Sequence, residues 1–72
     1  MTREEHLKWA KTRALEYLNS GDTFNAFASM CSDINKHSGL RNHSGLQLGM
    51  MLKIGGKLNT PHEMREWIVG FN

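Results

Sequence analysis

The chain has 72 residues, nine Lys and Arg against seven Asp and Glu, a formal charge of +2 and 39% hydrophobic residues. That is enough for one domain spanning 1–72 and too little for two. It is too apolar for disorder and lacks the long apolar run of a membrane span. A pI near 9.0 is too mild to imply nucleic acid by charge alone.

A single cysteine, Cys31, excludes an internal disulfide framework and a four-thiolate zinc site. The charged start, Met1 to Glu5, has no apolar signal core. The expectation is a cytoplasmic protein without cofactor or metal, in which helix packing supplies nearly all the stability.

Thr2 followed by Glu5 is a capping box and starts a first helix at about residue 3. Leu7, Ala10, Ala14, Tyr17 and Leu18 recur at steps of three and four, and Asn19-Ser20-Gly21 supplies a left-handed ending, so the helix spans 3–19. Asp22 or Thr23 can cap a second helix over 23–36, with Phe24, Phe27, Met30, Cys31 and Ile34 as its apolar stripe. The short connection makes the two helices an antiparallel hairpin.

The next segment contains His-Ser-Gly-Leu twice, at His37 and His43, and its Ser, Asn and Gly content predicts turns. Asn42 or Ser44 can cap a third helix over 44–54, ended by Gly55-Gly56. Leu46, Leu48, Met50, Met51, Leu52 and Ile54 surround its axis and leave a thin polar face. Such a helix is normally buried on several sides, so it is expected at the centre of the domain, wrapped by its three companions or by a second copy. Thr60-Pro61-His62-Glu63 opens a fourth helix over 61–69, with Met64, Trp67, Ile68 and Phe71 facing inward. No strand signal competes. The fold class expected is all-α, a small four-helix domain: an N-terminal hairpin packed on a central apolar third helix and a short C-terminal helix.

Candidate chemistry is sparse. His37, His43 and Cys31 could converge through one loop, but the spacings typical of zinc sites are missing, so loop histidines and a core thiol are expected. No nucleophile elbow, phosphate-binding glycine loop or metalloprotease helix is present, so no enzyme is expected and no catalytic residue is named. Gly45-x-x-x-Gly49 allows close helix approach, either for self-association or, as the preferred reading, to admit the first or second helix. Met50 and Met51, about 100° apart, cannot both enter one seam, so one is free to face a partner. Trp9 lies opposite Leu7, Ala14 and Leu18, beside Arg13; a binding anchor and cover by the C-terminal segment are the two readings. Lys8, Lys11, Arg3 and Arg13 make the first helix basic, with glutamates interleaved, as on a solvated face.

Residues 14–30, with Ala14, Tyr17, Gly21-Asp22, Phe24 and Ala26 in register, resemble the hinge of a tetratricopeptide-type helical hairpin, although only one repeat is present. Over nearly its whole length the chain also resembles small uncharacterised proteins of tailed bacteriophages. That resemblance rests on Glu5-His6-Leu7-Lys8-Trp9, Ala26-Phe27-Ala28-Ser29-Met30, Leu48-Gly49-Met50-Met51 and the ending from Met64 to Asn72. It implies a phage or prophage origin and a host-cytoplasm setting, and carries over no functional residue.

Together these features point to a non-enzymatic protein-binding module, monomeric or a homodimer, with Trp9, Arg13, Met50 and Met51 as candidate contacts. The alternative is a nucleic-acid accessory protein in which the second and third helices form a helix-turn-helix variant with Lys36, Arg41, Lys53 and Lys57 near phosphates. It ranks second because the connection is long and the third helix offers few polar groups to read bases.

Overall fold

A computed structural model describes all 72 residues and contains four helices and no strand: α1 (Arg3–Asn19), α2 (Thr23–Asn35), α3 (Ser44–Ile54) and α4 (Pro61–Val69). The all-α, four-helix class expected from the sequence is what forms, and the boundaries agree to one residue. Local chemistry explains that agreement. Thr2 Oγ1 accepts from the Glu5 amide at 3.1 Å and the Glu5 carboxylate accepts from the Thr2 amide at 2.8 Å. Thr60 and Glu63 repeat the box at the start of α4, with Pro61 in the first turn. Asp22 caps α2 by accepting from the Asn25 amide at 3.0 Å. These backbone donors have no partner within the helix, so each cap satisfies a group that would otherwise need water.

The C-termini of α1 and α3 end alike. Gly21 (φ +80°) follows Ser20, its amide bonded to Leu18 and that of Asp22 to Tyr17; Gly56 (φ +74°) follows Gly55, with Gly56 bonded to Lys53 and Lys57 to Leu52. Both are Schellman turns, whose left-handed position favours glycine.

The two His-Ser-Gly-Leu segments also fold alike. His37 Nδ1 accepts from the Gly39 amide at 3.0 Å and His43 Nδ1 from the Gly45 amide at 2.9 Å. In each, the leucine amide donates to the histidine carbonyl three residues earlier. The first turn plunges Leu40 into the core; the second makes His43 the cap of α3, in place of the expected Asn42 or Ser44.

α1 and α2 pack as the expected antiparallel hairpin. Ala10, Ala14 and Ala26 are wholly buried, and their small side chains let the helices approach closely, with Leu7, Leu18, Met30 and Ile34 filling the space around them. α4 closes this core with Met64, Trp67, Ile68 and Phe71. Each large apolar side chain removed from water contributes about 1.5–3 kcal/mol.

Three expectations about packing are corrected. Tyr17 and Phe24 are exposed, because the buried face of α2 is centred on Ala26, Met30, Asp33 and Ile34 and is rotated away from Phe24. The glycine pair on α3 admits α4, not α1 or α2: a Cβ at Gly49 would overlap the Trp67 indole, and one at Gly45 would lie 2.8 Å from the Phe71 ring. Most consequentially, α3 is not central. Gly49 is its only buried residue. The places expected for its side chains are taken by Leu40 and Leu58, in the loops before and after it, both fully buried. They pin the two ends of α3 to the core while the helix itself lies outside.

Candidate interaction surface on the third helix

α3 docks through Gly45 and Gly49, with Leu46 and Leu52 partly buried against the core beside them. With Gly45 and Gly49 toward α4, the Trp67 ring lies against the helix backbone, and its Nε1 donates to the Gly45 carbonyl at 2.9 Å. Phe27 and Phe71 flank that indole at ring separations of 5.1 and 5.2 Å. His43 stacks on Phe71 at 4.8 Å and donates through Nε2 to the Asn72 carbonyl at 2.8 Å. Four of the large residues of α3 point away from this contact. Leu48, Met50, Met51 and Ile54 are 53, 58, 70 and 87% exposed.

The 100° step between residues sorts these side chains. Met51 and Ile54 form a crest opposite Gly49. Leu48 lines one wall of a furrow of about 570 Å³ toward α4, floored by Leu52, Leu58, Trp67 and Phe71. Met50 lines a second furrow, of about 290 Å³, toward α2, with Cys31, Asn35, Leu46 and Gln47. The two methionines do diverge, onto a crest and into a furrow.

Trp9 and Arg13 serve a different arrangement. Trp9 is half-buried against the core, with the Arg13 guanidinium 5.1 Å and the Lys36 ammonium 5.8 Å from its ring centre. Neither covering group comes from the C-terminal segment. Arg13 Nε donates to Asp33 at 2.8 Å; Lys36 Nζ reaches the other carboxylate oxygen at 3.1 Å, and Ser29 Oγ adds a third bond at 3.2 Å. Asp33 is 1% exposed, so these partners replace its lost hydration. The buried His6 donates through Nε2 to the Asp33 carbonyl at 2.6 Å and lies 5.2 Å, ring to ring, from His37. No buried side-chain polar atom lacks a partner.

The sequence reading missed both Asp33 and His6. Their signal was present in the spacing: Asp33 lies three residues after Met30, on the face set by Ala26 and Met30, and polarity excluded it from the stripe. The basic face of α1 is exposed at Arg3, Lys8 and Arg13, and two of its cations also bind the last residues, Lys11 Nζ donating to the Val69 and Phe71 carbonyls and Arg3 to the Asn72 carbonyl at 2.8 Å. α4 has no basic residue in its own last turn, so α1 supplies the cations that its carbonyl end favours.

The groups considered for chemistry are separated. His37 packs near His6, His43 belongs to the α3 cap, and Cys31 is half-buried on the α2-side furrow, where burial raises its thiol pKa and keeps it protonated near neutrality. No three His, Cys, Asp or Glu side chains gather as a metal would require. No helix is long and apolar enough to cross a membrane. Of the cations in the helix-turn-helix reading, Lys36 is paired with Asp33, Arg41 Nε donates to the Asn35 carbonyl at 3.4 Å, Lys53 lies 5.7 Å from the Phe27 ring centre and Lys57 edges the α4-side furrow.

Neither a family model, nor a curated protein, nor a solved structure matches the chain.

Proposed function

We propose that this chain is a small non-enzymatic protein-binding module that works by occupying a surface of another protein, with the α3 ridge as its contact face. The observation that carries this is the docking of α3 by glycines, which leaves four large apolar side chains in water on one short helix. Clustered exposed apolar residues mark interaction surfaces, and methionine adapts to partners of different shape. Met50 and Met51 stand in that cluster. Trp9 and Arg13 are engaged by the chain's own Lys36 and Asp33 and form, at most, the edge of a contact. The resemblance to phage proteins supports a phage-encoded product acting in the host cytoplasm on a host or phage protein.

The test is a photo-crosslinking residue at position 51, with one at the exposed Thr12 on α1 as control, in cells that make the protein. A discrete adduct from position 51 alone is the expected result; no adduct, or the same adducts from both positions, overturns the proposal. Met51→Lys should remove the adduct partner in pull-down while unfolding free energy changes by no more than about 0.5 kcal/mol, as expected for an exposed site.

A further inference from the structure

The charge of the chain is unevenly placed. Between Asp33 and Glu63 there is no acidic residue, yet Lys36, Arg41, Lys53 and Lys57 lie there; the remainder carries five cations against seven carboxylates, so the overall +2 divides into +4 here and −2 elsewhere. The two furrows beside α3 differ accordingly. The lining of the α4-side furrow includes Glu63 and Glu66 as well as Lys57. The α2-side furrow has no carboxylate in its lining. Its wall residue Asn35 is the one to which Arg41 is bonded, and Phe27, two turns back along α2, is the one over which Lys53 lies. Cys31, Leu46 and Met50 lie between these ends. The furrow, whose lining also includes Asn35 and Gln47, thus has one cation bonded to a residue of its wall and a second lying over Phe27, one turn before Cys31 on α2. Asn35 and Phe27 are eight residues apart on one helix, roughly 12 Å at the helical rise.

We propose that the α2–α3 furrow seats an acidic amphipathic helix of a partner protein, its apolar side chains entering beside Met50 and Cys31 and two carboxylates, about two turns apart, meeting Arg41 and Lys53. This rests on the proposed protein-binding function and names the chemistry of the partner. A helix laid beside another at the usual 8–10 Å spacing presents residues i, i+3/i+4 and i+7 to one trough, which is the spacing the apolar floor and the two cations require. A second copy of this chain is a poorer occupant, because its α3 would bring Lys53 and no carboxylate. A flat anionic lipid surface would meet the crest and leave the furrow unfilled. Duplex DNA would place phosphates against Met50 and Leu46.

Two synthetic 14-residue helical peptides with the same leucine face test this, one with Glu and the other with Lys at the two positions flanking that face. The readouts are the alkylation rate of Cys31, the chain's one thiol, and the Met50 methyl resonance. The Glu peptide should slow alkylation at least fivefold, shift the Met50 methyl and lose at least tenfold in affinity on Lys53→Glu or Arg41→Glu; the Lys peptide should do none of these. Equal effects of the two peptides, or binding of the Glu peptide with Cys31 unprotected, overturn the proposal. So does protection of Cys31 by protein concentration alone, by phosphatidylglycerol vesicles or by a 20-base-pair duplex. If the Glu peptide fails while the position-51 adduct persists, the acidic-helix assignment falls and the binding module stands; if both fail, both fall.

Discussion

The α1–α2 hairpin and α3 are built from similar apolar residues at helical spacing and treat them in opposite ways. In the hairpin the small residues at the contact are alanines, whose methyl groups allow close approach while Met30, Ile34, Leu7 and Leu18 interlock around them. On α3 the small residues are glycines, which leave room for an entire indole from α4 and contribute no side chain of their own. Four of the six large apolar residues of α3 are thereby left exposed, while Leu46 and Leu52 pack against the core. Which face of an apolar helix is buried depends on where a neighbour can come close, not on where the largest side chains lie.

The most damaging way to break that contrast is to remove the indole on which α3 rests. Trp67→Ala should cost about 3–5 kcal/mol, most of the margin of so small a domain, so its urea midpoint should fall to near zero. A loss below about 1 kcal/mol would mean that α3 does not dock on Trp67. In the hairpin, Asp33→Ala should cost about 2–3 kcal/mol through the loss of its charge-assisted bonds. The cost stays in that range because Arg13 and Lys36 both reach solvent and can be rehydrated. Chemical denaturation at neutral pH reads this directly.

Gly49→Ala separates the two regions. Alanine gains about 1 kcal/mol of helix propensity, but its methyl group overlaps Trp67, a clash of about 1–3 kcal/mol. A net loss of up to about 2 kcal/mol is expected, with the indole N–H resonance of Trp67 shifted by loss of its bond to Gly45 and the α1–α2 amides unchanged in hydrogen exchange.

The smallest effect comes from acid. Bonds from the Thr2 backbone and hydroxyl hold the Glu5 carboxyl below its ordinary value, and those from the Asn25 backbone and side chain do the same for Asp22. A depressed folded pKa contributes stability above the unfolded value, near pH 4 for both groups, and that contribution is lost as pH falls through the folded values. Amide exchange in the first turns of α1 and α2, corrected for its intrinsic pH dependence, should therefore show loss of protection below about pH 4. α3 has no acidic residue in its first turn and takes no part in this carboxylate-linked loss.

The boundaries of all four helices were legible because caps are local. Thr2 with Glu5, Thr60 with Glu63 and the Gly21 and Gly56 turns act within five residues of chain. The inner face of α4 was legible too, since Met64, Trp67, Ile68 and Phe71 fall on one side. Tyr17 and Phe24 misled because size was read as burial. Asp33 was passed over because its charge hid its position, and its partner Arg13 is 20 residues away. Met50 and Met51 were correctly separated by angle, but no local feature showed that the crest would stay in water.

The amino-acid order by itself determined where each helix starts and stops, since those hydrogen bonds close within a turn. Only the tertiary structure decided which sides of those helices meet. That choice depends on Leu40 and Leu58 filling the middle and on an indole 18 residues beyond Gly49 lying against the one backbone bare enough to receive it. Contacts over such separations follow from competition among all faces for a limited interior, and that competition left α3 on the outside.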